Sequence, residues 1–218
     1  MIDRLDPAKV EENLAAVRGR IEAAARRGGR DPAAVTLLAA TKYVPAHQLA
    51  VLLEAGLTVF GENRAQDLVE KAKLVGGAAR FDFIGALQSR RVAEIAPYVH
   101  LIHTVASRSA LRALERHPPA SGAGVLIQVN LSGEPQKAGV AAEAVGELIA
   151  ACPLEVVGLM TLPPLSEDPE RSRPYFRALR ELARRHGLRE LSMGTSQDFE
   201  VAVEEGATIV RIGTSLYL

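Results

Sequence analysis

The chain has 218 residues, and its proportions of hydrophobic (48%) and charged (24%) residues are those of an ordinary globular domain. Its 26 basic side chains equal its 26 acidic ones, so the composition gives no reason to expect nucleic acid or an anionic membrane surface as a partner. The polar first residues, Met1–Pro7, the lack of an apolar stretch of bilayer length and the single cysteine, Cys152, predict a cytoplasmic protein without a signal peptide, membrane span or internal disulfide.

The first predicted element is a helix near the start of the chain. Asp6 and Pro7 are typical of a helix N-cap and first turn, and Gly28-Gly29 is typical of a helix end. Between them apolar residues recur at helical spacing, namely Val10, Leu14, Val17 and Ile21. This pattern predicts an amphipathic leading helix.

Strands and helices then alternate to the end of the chain. Short apolar runs predict eight strands, at 35–41, 57–60, 81–84, 100–103, 124–129, 154–159, 190–193 and 208–212. Helices are predicted between them, at 45–55, 64–75, 89–96, 107–116, 141–151, 169–186 and 198–205. Strands that are apolar throughout are typical of parallel strands covered on both faces. Eight such units predict an α/β fold, a single (β/α)8 TIM-type barrel with an extra N-terminal helix, as one domain over residues 1–218.

An open doubly wound sheet is the alternative architecture. No Gly-x-Gly-x-x-Gly loop follows the first predicted strand, which disfavours the dinucleotide-binding form of that fold. In a barrel, functional groups project from the carboxyl ends of the strands. Polar residues follow most of the predicted strands, among them Lys42, Asn63, Gln88, His103, Asn130, Thr161, Ser196 and Thr214. We therefore expect a functional site at one mouth of the barrel.

Lys42 follows the first predicted strand in a chain that has five lysines and twenty-one arginines. A lysine that loses solvation at a strand end becomes neutral more readily, and its free amine can attack an aldehyde. An arginine stays protonated and cannot do this. The alternative is a solvated surface lysine without a chemical role.

Two glycine–hydroxyl clusters follow the seventh and eighth strands, at Gly194-Thr195-Ser196 and Gly213-Thr214-Ser215. Loops at these two places form the usual phosphate site of such barrels, because glycine lets backbone N–H groups approach the phosphate and hydroxyls add donors. The alternative is ordinary turn chemistry, with Ser196 only capping the next helix. Arg211, inside the last apolar strand, needs a partner, either a carboxylate such as Glu62 or the ring nitrogen of a bound cofactor.

The five histidines predict no metal site. The pair with the shortest spacing is His100 and His103, whose side chains should point to opposite faces of a strand. We expect His103 to be hydrogen-bonded at the barrel mouth rather than to bind a metal.

Around these positions the sequence resembles the YggS/PROSC family of proteins that bind pyridoxal 5′-phosphate (PLP), a family similar to the N-terminal barrel of bacterial alanine racemase. The motifs that carry the resemblance are Ala39-Ala40-Thr41-Lys42, Phe60-Gly61-Glu62-Asn63, Phe83-Ile84-Gly85-Ala86-Leu87-Gln88, Leu191-Ser192-Met193-Gly194-Thr195-Ser196-Gln197-Asp198 and Val210-Arg211-Ile212-Gly213-Thr214. They run in the family's order across nearly the whole chain.

The resemblance implies a set of cofactor-binding residues. Lys42 would hold PLP as a Schiff base, Arg211 would face the pyridine nitrogen, and Asn63 would lie beside the ring. The phosphate would be held by Ser196, Gly213 and Thr214, with Met193 and Gly194 nearby. The implied function is PLP homeostasis, that is, storage or delivery of the cofactor and balance of amino acids and keto acids, with apo PLP-dependent enzymes as recipients. Because a barrel with a polar outer helix face can be monomeric, we expect a monomer.

Two enzymatic hypotheses stay open beside this non-enzymatic one. A PLP-dependent amino-acid racemase would need a second acid/base opposite Lys42, and none of the tyrosines Tyr43, Tyr98, Tyr175 and Tyr217 can be assigned to that place from the sequence. An arginine at the ring nitrogen would also leave that nitrogen unprotonated and weaken the electron sink. A PLP-free Schiff-base aldolase acting on a sugar phosphate would use Lys42 and the same phosphate loops.

Overall fold

The computed structural model describes residues 4–120 and 122–217 and has a closed barrel of eight parallel strands. The strands pair in chain order, and β8 closes the barrel on β1. Their bounds are β1 Thr36–Ala40, β2 Val59–Glu62, β3 Arg80–Phe83, β4 Val99–Val105, β5 Val125–Gln128, β6 Val156–Met160, β7 Glu190–Thr195 and β8 Ile209–Ile212. The predicted (β/α)8 barrel is confirmed, while Met1–Asp3, part of the polar segment at the start of the chain, lie outside the described residues.

Nine α-helices accompany the strands in the described part of the chain. They are α1 Pro7–Arg27, α2 Leu49–Glu54, α3 Ala65–Val75, α4 Val92–Ile95, α5 Arg108–Arg116, α6 Val145–Ala151, α7 Arg173–Arg185, α8 Phe199–Glu204 and α9 Thr214–Tyr217. Short 3-10 turns occur at Pro32–Ala34, Ala46–Gln48, Gly76–Ala78, Ser89–Arg91, Ala142–Ala144 and Pro169–Ser172. Over residues 4–120 and 122–217, no helix has both the length and the apolar character needed to cross a membrane.

The leading helix α1 packs on the outside of the barrel against α2, α8 and α9. Its start is capped by Asp6, whose carboxylate accepts a hydrogen bond from the Ala8 amide at 3.1 Å. Its four predicted apolar positions, Val10, Leu14, Val17 and Ile21, are all buried. The predicted amphipathic helix is therefore confirmed, and it covers the seam between the first and last strands.

Several element bounds differ from the sequence prediction. Leu57 was expected to begin the second strand, but its amide donates to the carbonyl of Leu52 and completes the end of α2. As a result β2 begins at Val59 and includes Glu62. The strand β7 extends two residues beyond Met193, and the four-residue helix α9 follows β8. Both changes lie at the carboxyl end of the barrel.

The barrel interior contains an apolar part and a polar part. Its apolar cluster consists of Leu38, Leu101, Leu126, Met160 and Ile209. A hydrogen bond between His103 of β4 and Ser192 of β7 joins strands that are not neighbours, so it crosses the interior. Polar side chains thus fill one sector of a space that aliphatic residues usually occupy in such barrels.

Candidate functional site

A cavity of about 480 Å³ opens at the carboxyl end of the strands. Residues from loops after β1, β2, β6, β7 and β8 contribute to its wall. The lining residues are Ala40, Lys42, Tyr43, Asn63, Ile84, Met160, Leu162, Thr195, Ser196, Gln197, Arg211, Gly213 and Thr214. Six of the eight predicted cofactor-binding residues therefore share one space: Lys42, Asn63, Ser196, Arg211, Gly213 and Thr214.

Lys42 lies at the rim of the cavity, in the turn that follows β1. The strand ends at Ala40, and the Val44 amide donates to the carbonyl of Thr41 at 2.9 Å, which closes the turn. The expectation that Lys42 is desolvated at a strand end is wrong, because its side chain is exposed. Its Nζ lies 4.6 Å from the centroid of the Tyr43 ring, a cation–π distance.

The backbone just before Lys42 is held by a buried ion pair. Lys71 donates through Nζ to Glu62 and, at 2.8 Å, to the carbonyl of Thr41. The Thr41 hydroxyl donates to the same Glu62 oxygen at 2.5 Å. Burial raises the pKa of Glu62, and the ammonium of Lys71 opposes that shift. The pair ties α3 to the end of β1 and so positions the residue that follows Thr41.

Arg211 projects into the cavity from β8, but only 5% of its surface is exposed to solvent. Its guanidinium donates to Ser192 Oγ at 2.6 Å and to the carbonyl of Thr161 at 3.0 Å. Glu62, the carboxylate considered from the sequence as a partner, is not one, since it pairs with Lys71. Burial lowers the pKa of Arg211 to about 10, partly offset by the charge of Asp198, so the group stays cationic at neutral pH.

The two glycine–hydroxyl clusters converge on the Ser196 hydroxyl. Its oxygen accepts hydrogen bonds from the amides of Gly213 at 3.2 Å and Ser215 at 3.4 Å. Ser196 is not the cap of the following helix, because the N-cap of α8 is Asp198, whose carboxylate accepts from the Thr195 amide at 2.8 Å. The loops after β7 and β8 thus place amide and hydroxyl donors together on one side of the cavity.

Met193 and Gly194 do not line the cavity. The Met193 side chain is buried in the core between strands and helices. Gly194 has a φ of +90°, and a Cβ there would lie 2.6 Å from the Cβ of Ala202 in α8. Glycine is needed at this position for the backbone conformation and for close packing against α8, which shapes the loop that carries Ser196.

Asn63 is exposed at the edge of the cavity, in the loop after β2. Its backbone passes so close to Gly85 that a Cβ at Gly85 would lie 2.0 Å from the Asn63 carbonyl oxygen. Asn130 lies outside the cavity. Its side-chain amide donates through Nδ2 to the carbonyl of Glu134 at 2.9 Å and organises the loop after β5. Of these two amides only Asn63 reaches the site.

His103 is buried inside the barrel, where its Nδ1 lies 2.8 Å from Ser192 Oγ and its Nε2 lies 3.3 Å from Asp82 Oδ2. His100, in contrast, is half exposed, and its Nδ1 lies 3.8 Å from Asp82 Oδ1, so both histidines lie near the same carboxylate. The register of β3 and β4 shifts beside this carboxylate, because Phe81 pairs with Val99 whereas Asp82 pairs with Leu101. Within residues 4–120 and 122–217, no three His, Cys, Asp or Glu side chains form a metal-binding group.

Sequence reasoning missed several features of this region. The aromatic and apolar wall formed by Tyr43 and Leu162 follows directly after predicted strand ends, so position in the barrel could have indicated it. The Lys71–Glu62 pair joins a helix to a strand over 9 positions, and the contact of Ser192 with His103 spans 89 positions. No local pattern in the sequence marks either contact.

Comparisons with known proteins identify the family of this chain. The family model "Alanine racemase, N-terminal domain" matches residues 6–218. The pyridoxal phosphate homeostasis protein of Aquifex aeolicus is 41% identical, over 94% of this chain and 96% of that protein. The protein of the same name from Pseudomonas aeruginosa is 40% identical, over 95% of this chain and 94% of that one. The structure of PipY from Synechococcus elongatus with PLP bound has a TM-score of 0.80 at 28% identity, covering 96% of this chain and 100% of that chain.

These matches extend over nearly the whole chain and confirm the resemblance found in the sequence. The chain therefore belongs to the alanine racemase N-terminal domain family and, within it, to the pyridoxal phosphate homeostasis proteins.

Proposed function

We propose that this protein binds PLP in the 480 Å³ cavity, as a Schiff base on Lys42, and serves PLP homeostasis by storing and delivering the cofactor. The observation that carries the proposal is the meeting of three kinds of group in one space: the Lys42 amine, the Arg211 guanidinium and the donors around Ser196. The relatives named as PLP homeostasis proteins and the PLP-bound PipY structure support it.

The residues present fit the chemistry of PLP. Bound PLP supplies an aldehyde for a lysine amine, a pyridine ring that withdraws electrons, and a phosphate. The amides of Gly213 and Ser215 and the Ser196 hydroxyl are suitable phosphate donors, and they already converge. Arg211 is suited to the pyridine nitrogen, because it remains a donor at neutral pH and is held on its other side by Ser192 and Thr161.

Two predicted residues have an indirect part in this proposal. Met193 and Gly194 shape β7 and the loop after it rather than contact the cofactor. Asn63, on the rim, would lie beside the ring together with Tyr43. Thr214 completes the phosphate loop at the start of α9.

We propose binding and delivery rather than turnover because a second acid/base opposite Lys42 is not evident. Among the described tyrosines only Tyr43 lines the cavity, and it adjoins Lys42 on the same edge. The hydroxyl of Tyr217 is buried, and burial raises its pKa well above the ordinary value, so it is a poor proton donor or acceptor at neutral pH. Lys42 can therefore move a proton on one face only.

Borohydride reduction of the purified protein with PLP, followed by peptide mass mapping, tests the attachment. We expect a pyridoxyl adduct on Lys42 and loss of the visible chromophore in Lys42→Ala. The control Lys73→Ala removes an exposed lysine outside the cavity and should keep the chromophore. An adduct on another lysine, or on none, contradicts the proposal.

Three further measurements separate delivery of PLP from enzymatic turnover. We propose that the protein is a cytoplasmic monomer that passes PLP to apo PLP-dependent enzymes, so transfer to an apo-enzyme should be faster than exchange through free buffer. Exchange of α-protons into deuterated water by any amino acid in a broad panel would instead favour the racemase. Turnover of a sugar phosphate without PLP would favour the aldolase.

A further inference from the structure

A line of four buried polar side chains runs from the cavity across the barrel interior, from β8 to β3. Arg211 Nη1 lies 2.6 Å from Ser192 Oγ, which lies 2.8 Å from His103 Nδ1, and His103 Nε2 lies 3.3 Å from Asp82 Oδ2. Ser192, His103 and Asp82 have no solvent exposure. The proposed cofactor contact is thus connected to a carboxylate on β3, across the interior.

The chemistry of the donors gives this line a direction. A guanidinium can only donate, so Ser192 Oγ accepts from Arg211 and keeps its own proton free to donate. The neighbour placed to accept that proton is His103 Nδ1. Nδ1 is then unprotonated, the ring proton is on Nε2, and Nε2–H donates to Asp82. Each group donates to the next, from Arg211 to Asp82.

The buried position of His103 keeps it in this neutral form. Burial lowers its pKa, and the positive charges of Arg211 and Arg80 lower it further, while Asp82 opposes the shift. His100, half exposed on the same strand, lies 3.8 Å from the other oxygen of Asp82. A second proton on Nδ1 of His103 would also leave the Ser192 hydroxyl without its acceptor.

The separation of Asp82 from Arg211 has an electrostatic consequence. Among residues 4–120 and 122–217, no carboxylate oxygen lies within ion-pair distance of Arg211. Along the hydrogen-bonded line, the side chains of Ser192 and His103 separate Arg211 from the carboxylate of Asp82. Arg211 is therefore fixed in position by uncharged partners, and the carboxylate that acts on its charge is Asp198, from beyond ion-pair distance.

We infer that Asp82, His103 and Ser192 are positioning residues that hold Arg211 as an oriented, cationic donor to the ring nitrogen of PLP, an inference that rests on the proposed function. Held in this way, Arg211 keeps the ring nitrogen unprotonated and its electron sink weak. The line would thus bias the site towards holding the cofactor rather than activating it.

The direction of the line can be measured without cofactor. Imidazole 15N NMR of the PLP-free protein should show His103 as the Nε2–H tautomer, with Nδ1 unprotonated throughout pH 6 to 8. A proton on Nδ1 at any pH in that range overturns the inference. Because this readout needs no PLP, it is independent of whether Lys42 carries the cofactor.

The connection to the cofactor can be tested by a double-mutant cycle. With PLP bound, Ser192→Ala and Asp82→Asn should each shift the pH midpoint of the chromophore and weaken PLP binding roughly threefold, and Asp82→Asn should add nothing once Ser192 is alanine. His100→Gln is the matched control beside Asp82, and it should leave the chromophore unchanged. Additive effects, or no effect of Asp82→Asn, contradict the inference. An adduct on no lysine would instead refute the proposed function and leave the NMR result in place.

Discussion

The ammonium group of Lys71 contacts the carboxylate of Glu62, and neither side chain is appreciably exposed to solvent. A buried ion pair contributes little net stability, but removing one partner leaves the other charge uncompensated. This pair also holds the carbonyl of Thr41, the residue before Lys42. Its loss should therefore affect both the stability of the fold and the geometry of the site.

We expect Lys71→Met to lower the free energy of unfolding by about 3–5 kcal/mol, because Glu62 is left buried and unpaired. Urea unfolding followed by circular dichroism measures this. The double variant Lys71→Met/Glu62→Leu should recover part of the loss, and Lys73→Met, at an exposed lysine of the same helix, should change stability by less than about 0.5 kcal/mol. Equal stability of Lys71→Met and the unmodified protein would show that the pair is not buried.

The acid stability of the protein should depend on His103. Burial keeps folded His103 neutral, whereas in the unfolded chain it takes up a proton as the pH falls through about 6.5. The unfolded state then binds more protons, so the stability that His103 provides above this pH is lost as the pH falls below it.

His103→Gln should accordingly reduce the slope of the free energy of unfolding against pH, below pH 6.5, by up to about 1.4 kcal/mol per pH unit. It should also lower the stability at neutral pH. Urea unfolding of His103→Gln and of the unmodified protein at several pH values between 5 and 8 gives the slope of the free energy of unfolding against pH for each. His100→Gln serves as the control, and an unchanged slope in His103→Gln would show that folded His103 is protonated.

Gly194 should not tolerate a side chain. With a φ of +90° and a Cβ that would lie 2.6 Å from Ala202, Gly194→Ala should destabilise the protein by about 1–3 kcal/mol. Gly19, in α1, is the matched control: its Cβ would meet nothing within 4 Å, and Gly19→Ala should stabilise by about 0.5–1 kcal/mol. Thermal unfolding of both variants checks that Gly194→Ala lowers the melting temperature and that Gly19→Ala raises it.

Ser196→Ala should weaken the binding of PLP but not of pyridoxal, which has no phosphate. The hydroxyl joins the loops after β7 and β8 through the amides of Gly213 and Ser215, and its loss should reduce PLP affinity about tenfold. Dissociation constants for both compounds, measured by absorbance, make the comparison. Ser166→Ala, at a half-buried serine outside the cavity, is the control, and an equal loss for both compounds would place the phosphate elsewhere.

The sequence was sufficient for the barrel because each strand and helix is signalled by its own local pattern, as for Val10 to Ile21 in α1. It also located Lys42 and Ser196, since strand ends in such a barrel meet at one mouth. The exposure of Lys42 was not predictable, because it depends on where the turn after Ala40 leaves the strand. Nor was the partner of Arg211, since Ser192 is reached only through the pairing of β7 with β8.

The pairing of β8 with β1 has a consequence for biosynthesis. Arg211 lies opposite Leu38 in that pairing, so Arg211 and Lys42 come from elements that are far apart in sequence and meet only where the barrel closes. A chain still emerging from the ribosome can present Lys42 long before it has Arg211 and the loop after β8. The cavity is therefore complete only after β8 and its loop have been synthesised, and a shorter chain has the lysine without the wall around it.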